Sequence, residues 1–403
     1  MNPPQPVSPL LPRPAIAAIA FAFLVTMLGT TLPTPLYAIY SARLDFSELT
    51  VTILFAVYAL GVVGALLCFG RLSDQVGRRP VLVAATVLAG LSAVLFLLPP
   101  SLPLLVVARV VSGLAAGLMS GTGTAALIDA FAPERRTTAG ALAVGANAGG
   151  LAVGTLLAGV VAELAGSPLV VPYGVHLALT VVAVAGLYSF VPAPERAGRV
   201  SVRFQRLSVP AEIRGAFVRA VLAAGSGFAA IGVLTAVSSL FLARSLHHDS
   251  HALAGFVVFL AFGGMALGQL AARGTGPRTA IVVGCAGLVV AAGILALALA
   301  AVLLVPLLVA AAVLGLASGL CLNAGLALTV EQAEPASRGA VSSSFFAGLY
   351  LMLAVPAIGV GLLASAIGLR DAGLVFVAAA AVLVAVVGVL TLRSAGRPVA
   401  LAA

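Results

Sequence analysis

Charged side chains are scarce in this chain, because Asp, Glu, Lys and Arg make up 8% of its 403 residues while 62% of the residues are hydrophobic. A water-soluble domain of this length needs far more polar side chains to cover its surface. The chain also lacks the ten-residue segments of alternating apolar and polar side chains that a membrane-spanning barrel requires. These absences exclude a soluble protein and favour α-helices that cross a membrane.

The sequence also lacks the motifs of several chemistries. It has no phosphate-binding loop and no nucleophile elbow, so we expect no enzyme. Cys68, Cys285 and Cys321 fall singly in apolar segments, without the spacing of a zinc site or a redox pair. The tract His247 to His251 is interpreted as a polar loop and not as a metal site, since no second ligand cluster accompanies it. We expect no cofactor and no metal.

Hydrophobic stretches long enough to cross a hydrocarbon core of roughly 30 Å recur along the chain. Twelve helices are predicted, at residues 15–40, 49–69, 81–99, 103–131, 139–163, 168–191, 217–243, 251–272, 279–300, 302–332, 339–364 and 368–392. The first is interpreted as a retained helix, because it is too long for a cleaved signal peptide. Pro33 and Pro35 near its end, and Pro356 in the eleventh helix, are expected to kink their helices.

The longest polar interruption, residues 192–216, divides the twelve helices into two sets of six. The predicted organisation is a tail at 1–14, a six-helix bundle at 15–191, a central loop at 192–216, a second bundle at 217–392 and a tail at 393–403. The fold class is therefore an all-α polytopic membrane protein.

All 21 basic residues are arginines, and the formal net charge is +9. In a soluble protein this charge would suggest an acidic partner such as nucleic acid. Here 17 of the 21 arginines fall in alternate loops and tails when the amino terminus is placed inside, which is the bias of cytoplasmic loops. We expect a monomer in the plasma or inner membrane with both termini cytoplasmic and no nucleic-acid partner.

The two halves resemble each other in sequence. "VSGLAAGL" at 111–118 matches "VLGLASGL" at 313–320, and the same offset of 202 pairs Asp129 with Glu331 and Arg136 with Arg338. This agreement favours an internal duplication. Two parallel six-helix repeats around a cavity are how many secondary transporters alternate access to a site at the middle of the membrane.

One loop, "GRLSDQVGRRPVL" at 70–82, concentrates acid, base, glycine and proline. Its residues fall on the loop signature of a known transporter family, at Gly70, Leu72, Asp74, Gly77, Arg78, Arg79 and Leu82. On these residues, the twelve segments and the duplication, the chain resembles the major facilitator superfamily. The resemblance implies a secondary transporter with two six-helix repeats that works by alternating access.

The resemblance also implies that this loop is a gate. Asp74 would accept hydrogen bonds from a helix start in the other half, near Gly339, and Arg78 with Asp129 would complete a charge relay. The glycines would allow a tight turn. The alternative is an ordinary solvated loop of the positive-inside kind. The corresponding loop of the second half has Ala272 where the acid would be, so any gate is asymmetric.

Arg109 lies within the predicted fourth helix, where an arginine is costly unless it faces water or a partner. It matches the arginine that proton-coupled exporters of the family carry there, but it could instead snorkel to the surface. Asp129 is about 30 Å away along the same helix and cannot be its partner. Residues 15–40 lack the acid that many such exporters use. Asp129 and Glu331 are interpreted either as coupling groups or as structural partners of loop arginines.

Glycine is frequent in the predicted fifth helix, "GANAGGLAVGTLLAG" at 145–159. The stretch resembles half of a signature of proton-driven exporters. Alternatively, Gly145 with Gly149 and Gly150 with Gly154 let neighbouring helices approach closely, which needs no export function.

Polar side chains without charge recur near the middle of the predicted helices. Ten of them are candidates for a substrate cavity: Thr26, Thr30, Tyr58, Ser120, Thr122, Asn147, Ser226, Thr235, Asn323 and Tyr350. As a set they suit a neutral or amphipathic molecule, although each hydroxyl alone could serve its own helix backbone. We expect proton-coupled efflux of small hydrophobic or amphipathic compounds. Uptake or facilitated transport of a small neutral metabolite, and a non-transporting membrane binding or scaffold protein, are the alternatives.

Overall fold

The computed structural model describes residues 11–70, 72–193, 207–334 and 337–393. Most of the predicted amino-terminal tail, most of the central loop, Arg71 and the tail after Arg393 lie outside the described residues. Within the described ranges the regular structure is helical, with no strands. Twelve helical spans are long and apolar enough to cross a membrane, which agrees with the predicted number.

The described residues form fourteen α-helices. Their bounds are α1 Arg13–Thr31, α2 Tyr37–Leu44, α3 Glu48–Phe69, α4 Leu72–Val76, α5 Arg78–Leu97, α6 Leu102–Asp129, α7 Arg136–Leu164, α8 Val171–Phe190, α9 Arg214–Arg244, α10 His251–Ala271, α11 Pro277–Ala301, α12 Leu304–Glu331, α13 Arg338–Ile367 and α14 Leu369–Arg393. We call the end of the bundle that carries Arg78, Arg136, Arg273 and Arg338 the arginine-rich end, and the other end the opposite end.

The first predicted helix is interrupted. Helix α1 stops at Thr31, a 3-10 turn covers Thr34–Leu36, and α2 then runs from Tyr37 to Leu44. Pro33 and Pro35 cause the break because proline lacks the amide hydrogen that a continuing helix needs. Pro356, by contrast, lies inside the continuous helix α13.

The motif loop folds as the short helix α4 followed directly by α5. Gly77 between them has φ of 89°, a backbone conformation that side chains with a Cβ rarely adopt. The expected tight turn is therefore present at Gly77. Gly70 has an ordinary right-handed helical φ of −58° at the end of α3, so the expectation of a special turn does not hold there.

In each half, glycines bring a corresponding pair of helices into close contact. Gly61 of α3 meets Gly113 of α6, and Gly264 of α10 meets Gly315 of α12. A Cβ at Gly113 would meet the carbonyl oxygen of Tyr58, and a Cβ at Gly315 would meet that of Ala261. The matching octets of the sequence therefore occupy matching helix crossings.

The two halves meet along α7 with α10 and along α3 with α13. Gly159 of α7 and Gly255 of α10 allow the first pair to approach backbone to backbone. At the opposite end, the carboxylate of Glu163 accepts hydrogen bonds from the first amides of α10, at 2.8 Å from His251 N. At the arginine-rich end, Arg273 donates to the carbonyl of Thr137 at 2.9 Å.

Gly150 and Gly154 of α7 pack against the backbone of α1 at Leu24 and Leu28, as the packing interpretation expects. Gly145 and Gly149 have open space where a Cβ would stand, so they do not serve a close helix contact. The packing interpretation thus holds for one glycine pair of α7 and not for the other.

Candidate functional site

A cavity of about 510 Å³ lies between the two halves. It reaches Gly70 and Gly339, which are exposed at the arginine-rich end. Its wall is mostly apolar, with Phe55, Phe228 and Phe346 among the aromatic residues that line it. Its size and composition are typical of a site for a drug-sized apolar or amphipathic molecule.

Eight of the ten predicted cavity residues line this space: Thr30, Tyr58, Ser120, Thr122, Asn147, Thr235, Asn323 and Tyr350. Thr26 and Ser226 do not. Thr26 lines a small pocket between α1, α5, α6 and α8, and Ser226 lines a small apolar pocket within the second half. Contact of the eight lining residues with a substrate stays a prediction.

Several of the hydroxyls serve their own helices, as the alternative interpretation allows. Thr26 donates to Ala22 O at 2.8 Å and Ser226 donates to Leu222 O at 2.7 Å. Thr235, which lines the cavity, likewise donates to the carbonyl four residues earlier. Hydroxyls bonded in this way need no ligand to satisfy them.

The amides of Asn147 and Asn323 differ from these hydroxyls. Both line the cavity, and neither side chain has a hydrogen-bond partner among the residues that the structure describes. An amide offers two donors and one acceptor atom. These two side chains can therefore bind polar groups of a molecule in the cavity.

Arg109 is buried, with 3% of its surface exposed, and its guanidinium faces the cavity near the opposite end. It donates to Thr30 O at 2.8 Å and to Leu54 O at 3.2 Å. Its guanidinium carbon also lies 4.7 Å from the centre of the Tyr58 ring. These contacts tie α1, α3 and α6 together and place the arginine in the interior, which contradicts the snorkelling alternative.

The electrostatics of the cavity are one-sided. Arg109 is the charged side chain in its wall, and the described lining residues include no Asp or Glu. A cation inside a low-dielectric protein favours anions and electron-rich groups nearby. The cavity therefore accepts neutral or anionic parts of a molecule more readily than a second positive charge.

Aromatic rings join the two halves across the cavity. Tyr58 of α3 and Tyr350 of α13 have ring centres 6.5 Å apart, and Phe228 of α9 lies 6.0 Å from Tyr350. Their edge-to-face arrangement is a favourable geometry for aromatic pairs. A flat apolar ligand could pack against the same rings.

The opposite end of the cavity is closed. Phe55 and Ala59 of the first half pack in one apolar cluster with Val233, Leu353 and Ala357 of the second half. Above this cluster, Arg244 at the end of α9 forms an ion pair with Glu48 at the start of α3. The molecule is thus open at the arginine-rich end and closed at the opposite end.

The motif loop contributes a charge cluster at the arginine-rich end. Arg78 binds Asp74 at 2.7 Å, Asp129 at 3.1 Å and the hydroxyl of Ser73 at 2.6 Å. Arg79 points elsewhere, since it donates to the carbonyl of Tyr188 and stacks on that ring. The structure therefore brings Asp74, Arg78 and Asp129 together and leaves Arg79 outside the cluster.

The predicted lock between Asp74 and the start of α13 is not formed in this conformation. Among the described residues, Asp74 is bound by Arg78 and not by the helix start near Gly339. Both Gly70 and Gly339 border the open mouth of the cavity. A lock that closes this end cannot form while the mouth is open.

Glu331 occupies the position in the second half that matches Asp129. It is exposed, and within the described part of the chain it forms no ion pair. The interpretation as a structural partner of a loop arginine therefore suits Asp129, which binds Arg78. It finds no support at Glu331.

Several residues with structural or chemical importance were not singled out from the sequence. They are Glu48 with Arg244, Arg273, Glu163 as an α10 cap, and the buried His176. Glu48 and Arg244 lie 196 residues apart, so no local pattern could connect them. A lone histidine inside an apolar helix was a visible signal, and it was missed.

Fold and cavity together define a class: a polytopic membrane transporter, and not an enzyme, made of two six-helix halves around a central cavity. The sequence profile of the Major Facilitator Superfamily matches residues 19–355. The chain belongs to that superfamily.

Curated relatives match over parts of the chain. Multidrug resistance protein MdtM of Salmonella typhimurium is 25% identical over 189 residues, which is 45% of this chain and 43% of that protein. Multidrug resistance protein MdtL of Shigella flexneri is 32% identical over 96 residues, or 24% of this chain and 25% of that protein. The chain spans less than half the length of each of these two relatives.

Among solved structures, a bacterial homologue of the human lysosomal transporter Spinster, crystallised inward-facing and unoccupied, superimposes with a TM-score of 0.73. The two chains are 15% identical, and the match covers 94% of this chain and 97% of that one. This likeness supports the fold.

Proposed function

We propose that the protein exports small hydrophobic or amphipathic compounds by alternating access, driven by protons that move in the opposite direction. The observation that carries the proposal is the cavity of about 510 Å³ between the halves, mostly apolar and open at one end. The relatives named multidrug resistance proteins support the same substrate class.

The arginine-rich end is proposed to face the cytoplasm, with both termini and the central loop on that side. The concentration of arginines in those loops supports this orientation. The conformation described above would then be the inward-facing one, ready to take up a substrate from the cytoplasm or the inner leaflet.

Roles are proposed for the motif residues in the same scheme. Gly70, Asp74, Gly77, Arg78, Arg79 and Asp129 would form a gate that closes the arginine-rich end in the other conformation. Arg109 would hold the helices around the cavity and favour electron-rich substrates. Glu331 is kept as a weaker candidate for coupling, because it lies at the arginine-rich end and away from the cavity.

The test is dye movement in everted membrane vesicles with an imposed gradient, acidic inside. Three amphipathic dyes of different charge would be compared: cationic ethidium, zwitterionic rhodamine B and anionic fluorescein. We expect gradient-dependent accumulation of at least one dye in vesicles that contain the protein and none above background in empty vesicles. Arg370→Gln is the control variant, because Arg370 binds the carbonyls of Leu299 and Ala300 far from the cavity.

Accumulation equal to that of empty vesicles for all three dyes would contradict export of this substrate class. Uptake of a small neutral metabolite would then be tested with right-side-out vesicles. Accumulation that persists after the proton gradient is collapsed would keep transport and reject proton coupling. Failure to move any solute would favour a binding or scaffold protein.

A further inference from the structure

A second, much smaller polar pocket lies beside the cavity, between α1, α5, α6 and α8. Its volume is about 10 Å³, which is the space of roughly one water molecule. Its polar walls include Thr30, Ser112, Tyr173 and His176. Thr30 lines both this pocket and the large cavity, so the two spaces are neighbours.

His176 is the side chain of this pocket whose ring nitrogen can accept a proton. It is 1% exposed and is the sixth residue of α8. The chain has four histidines, and the other three lie at positions 247, 248 and 251, before or at the start of α10. Histidine is the side chain whose ordinary titration falls between about pH 5 and 8.

The hydrogen bonds of His176 fix which nitrogen is free. Its Nε2 lies 3.1 Å from the carbonyl oxygen of Val25 in α1. Because a backbone carbonyl can only accept, Nε2 must carry the hydrogen, and Nδ1 of the neutral ring then has a bare lone pair. Nδ1 is buried and has no hydrogen-bond partner among the described residues.

A second unpartnered group belongs to the same pocket. The hydroxyl of Ser112 in α6 is also buried and has no partner within the described ranges. Orphaned buried polar atoms are rare, and each calls for an occupant such as water or an ion. Two orphans around a space of one water indicate a built polar site and not a packing defect.

The fold makes room for the imidazole ring. Gly29 of α1 lies against it, and a Cβ at Gly29 would collide with Cε1 and Nε2 of His176. The ring is therefore seated in a niche that the glycine creates, with one nitrogen anchored on α1 and the other free.

The pocket adjoins the charged part of the cavity. The carbonyl of Thr30 accepts the hydrogen bond from Arg109 at 2.8 Å. Thr30 also lines the pocket that holds His176, so an imidazolium at His176 and the guanidinium of Arg109 would repel each other. The wall of the large cavity itself has no Asp or Glu among the described residues to bind a proton.

Other ionisable groups around α8 are already engaged. Tyr173 on α8 hydrogen-bonds Tyr40 on α2 through their hydroxyls at 3.2 Å. Arg79 of α5 binds the far end of α8 at Tyr188, and Glu163 of α7 caps α10. From α5 the pocket receives only neutral residues, among them Ser92 and Phe96.

We infer that His176 is the group that binds the coupling proton, on Nδ1, and that an internal water in the small pocket carries this proton past Ser112 and Thr30 to and from the large cavity. The proton adds to the lone pair of Nδ1 and gives an imidazolium, and no covalent bond breaks. Nε2 keeps its bond to Val25 throughout, so the ring can load and unload a proton without losing its anchor on α1. The inference rests on the proposed proton-coupled export.

The main test compares wild type with His176→Gln in proteoliposomes. It measures the movement of ethidium, rhodamine B or fluorescein across their membrane. A glutamine amide can still donate to Val25 O but takes up no proton. We expect His176→Gln to lose at least tenfold of proton-driven accumulation while dye exchange without any gradient stays within threefold of wild type. Thr180→Val is the matched control, because Thr180 lies one turn further along α8 and its hydroxyl only bonds the carbonyl of His176.

Two more measurements keep the test independent of one variant. Gly29→Ala should expel the ring from its niche and give the same uncoupled behaviour. With ¹⁵N-labelled histidine in the full-length protein, the signals that vanish in His176→Gln should show a neutral ring with hydrogen on Nε2 at high pH and proton uptake at Nδ1 as the pH falls.

The outcomes separate this inference from the proposed function. If wild type and His176→Gln accumulate dye equally well with a gradient, the inference is overturned. The proposed function then still stands. Loss of gradient-free exchange in His176→Gln would assign a structural role to the ring and also overturn it. Wild type that exchanges dye but ignores the gradient rejects proton coupling, and with it this inference, while export of the dyes stands.

Discussion

In the first half of the chain, α3 and α6 cross where Gly61 meets Gly113, and in the second half α10 and α12 cross where Gly264 meets Gly315. The halves differ in what else they bury. Arg109 and His176, the buried basic side chains of the described residues, both lie in the first half. The buried polar side chains of the second half are serine and threonine hydroxyls.

This difference separates two requirements. Close helix crossings are needed in both halves, because each must hold six helices together where the lipid supplies no hydrophobic drive between them. Buried ionisable groups are costly in a membrane, so they are expected only where a function requires them. Both halves keep the close helix crossing, while the buried basic side chains of the described residues lie in the first half.

The largest expected effect comes from the charge of the first half. Arg109→Gln removes a cation that donates to two backbone carbonyls, and a hydrogen bond from a charged group contributes about 1.5–3 kcal/mol. We expect transport to fall roughly 100-fold, since about 3 kcal/mol corresponds to that factor. Arg109→Lys keeps the charge but cannot donate to both carbonyls in the same geometry. Its transport rate should lie between those of wild type and Arg109→Gln.

Initial rates of dye transport, with the amount of protein in the membrane measured alongside, check this prediction. Transport by Arg109→Gln within threefold of wild type would show that the first half does not depend on its buried cation. The proposed functional difference between the halves, which rests on the buried basic side chains of the first half, would then be contradicted.

The next effect tests what the halves share. Gly61→Ala and Gly264→Ala each place a Cβ against a backbone carbonyl of the neighbouring helix, Val110 O and Ala312 O respectively. Overpacking of this kind costs about 1–3 kcal/mol. We expect both variants to lower the thermal stability of the purified protein by similar amounts.

The controls lie in the same two helices. Gly64 and Gly263 have open space at the Cβ position, so Gly64→Ala and Gly263→Ala should leave the thermal midpoint unchanged or slightly raised. A large loss in only one half would break the proposed equivalence of the two crossings.

A smaller effect is expected at the motif loop. Asp74→Asn removes one charge from the Asp74, Arg78 and Asp129 cluster, whose two carboxylates are largely exposed. Because Asp74 is proposed to accept hydrogen bonds from the start of α13 when this end closes, we expect the closed form to lose up to about fivefold in population, which is the scale of an exposed charged contact. Labelling of Ser342→Cys, in a background without the three native cysteines, reports how often this end of the cavity is open.

Ala272→Asp places an acid at the matching loop position of the second half. Because the gate is proposed to be asymmetric, Ala272→Asp should not restore closure of the arginine-rich end when it is combined with Asp74→Asn. Recovery of wild-type labelling in the double variant would mean that the two loops are interchangeable.

An effect no larger than this is expected at the opposite end. Arg244→Gln breaks the ion pair with Glu48, which joins the halves there. Partly exposed pairs contribute about 0.2–1 kcal/mol, so the closed opposite end should lose at most about fivefold. The charge-swapped double variant, Glu48→Arg with Arg244→Glu, should restore it, and labelling of Thr34→Cys from that end measures the result.

Much of the architecture was predictable because hydrophobicity is a local property. Twelve runs of apolar residues gave twelve membrane-spanning helices, and the arginine pattern marked one end of the bundle. The break after Thr31 followed from Pro33 and Pro35. The matching octets at 111–118 and 313–320 could be recognised in the sequence, and they lie at corresponding helix crossings.

The cavity was predicted in part. Ser226 and Thr235 are nine residues apart, which places them on opposite faces of α9, so both could not line one cavity. In the structure, Thr235 lines the cavity and Ser226 does not. Hydropathy could not make that choice, because a helix surrounded by protein and lipid is apolar on every face.

By itself, the sequence determined the class of the protein, the number of its helices, the repeat and the end that carries the arginines, since each follows from the residue types of short stretches of the chain, taken singly or compared with one another. Only the tertiary structure decided that the arginine-rich end is open, that Glu48 meets Arg244 and that His176 presents a free nitrogen beside Ser112. The reason is physical. These features depend on contacts between helices far apart in sequence, and the packing of all twelve helices fixes them together.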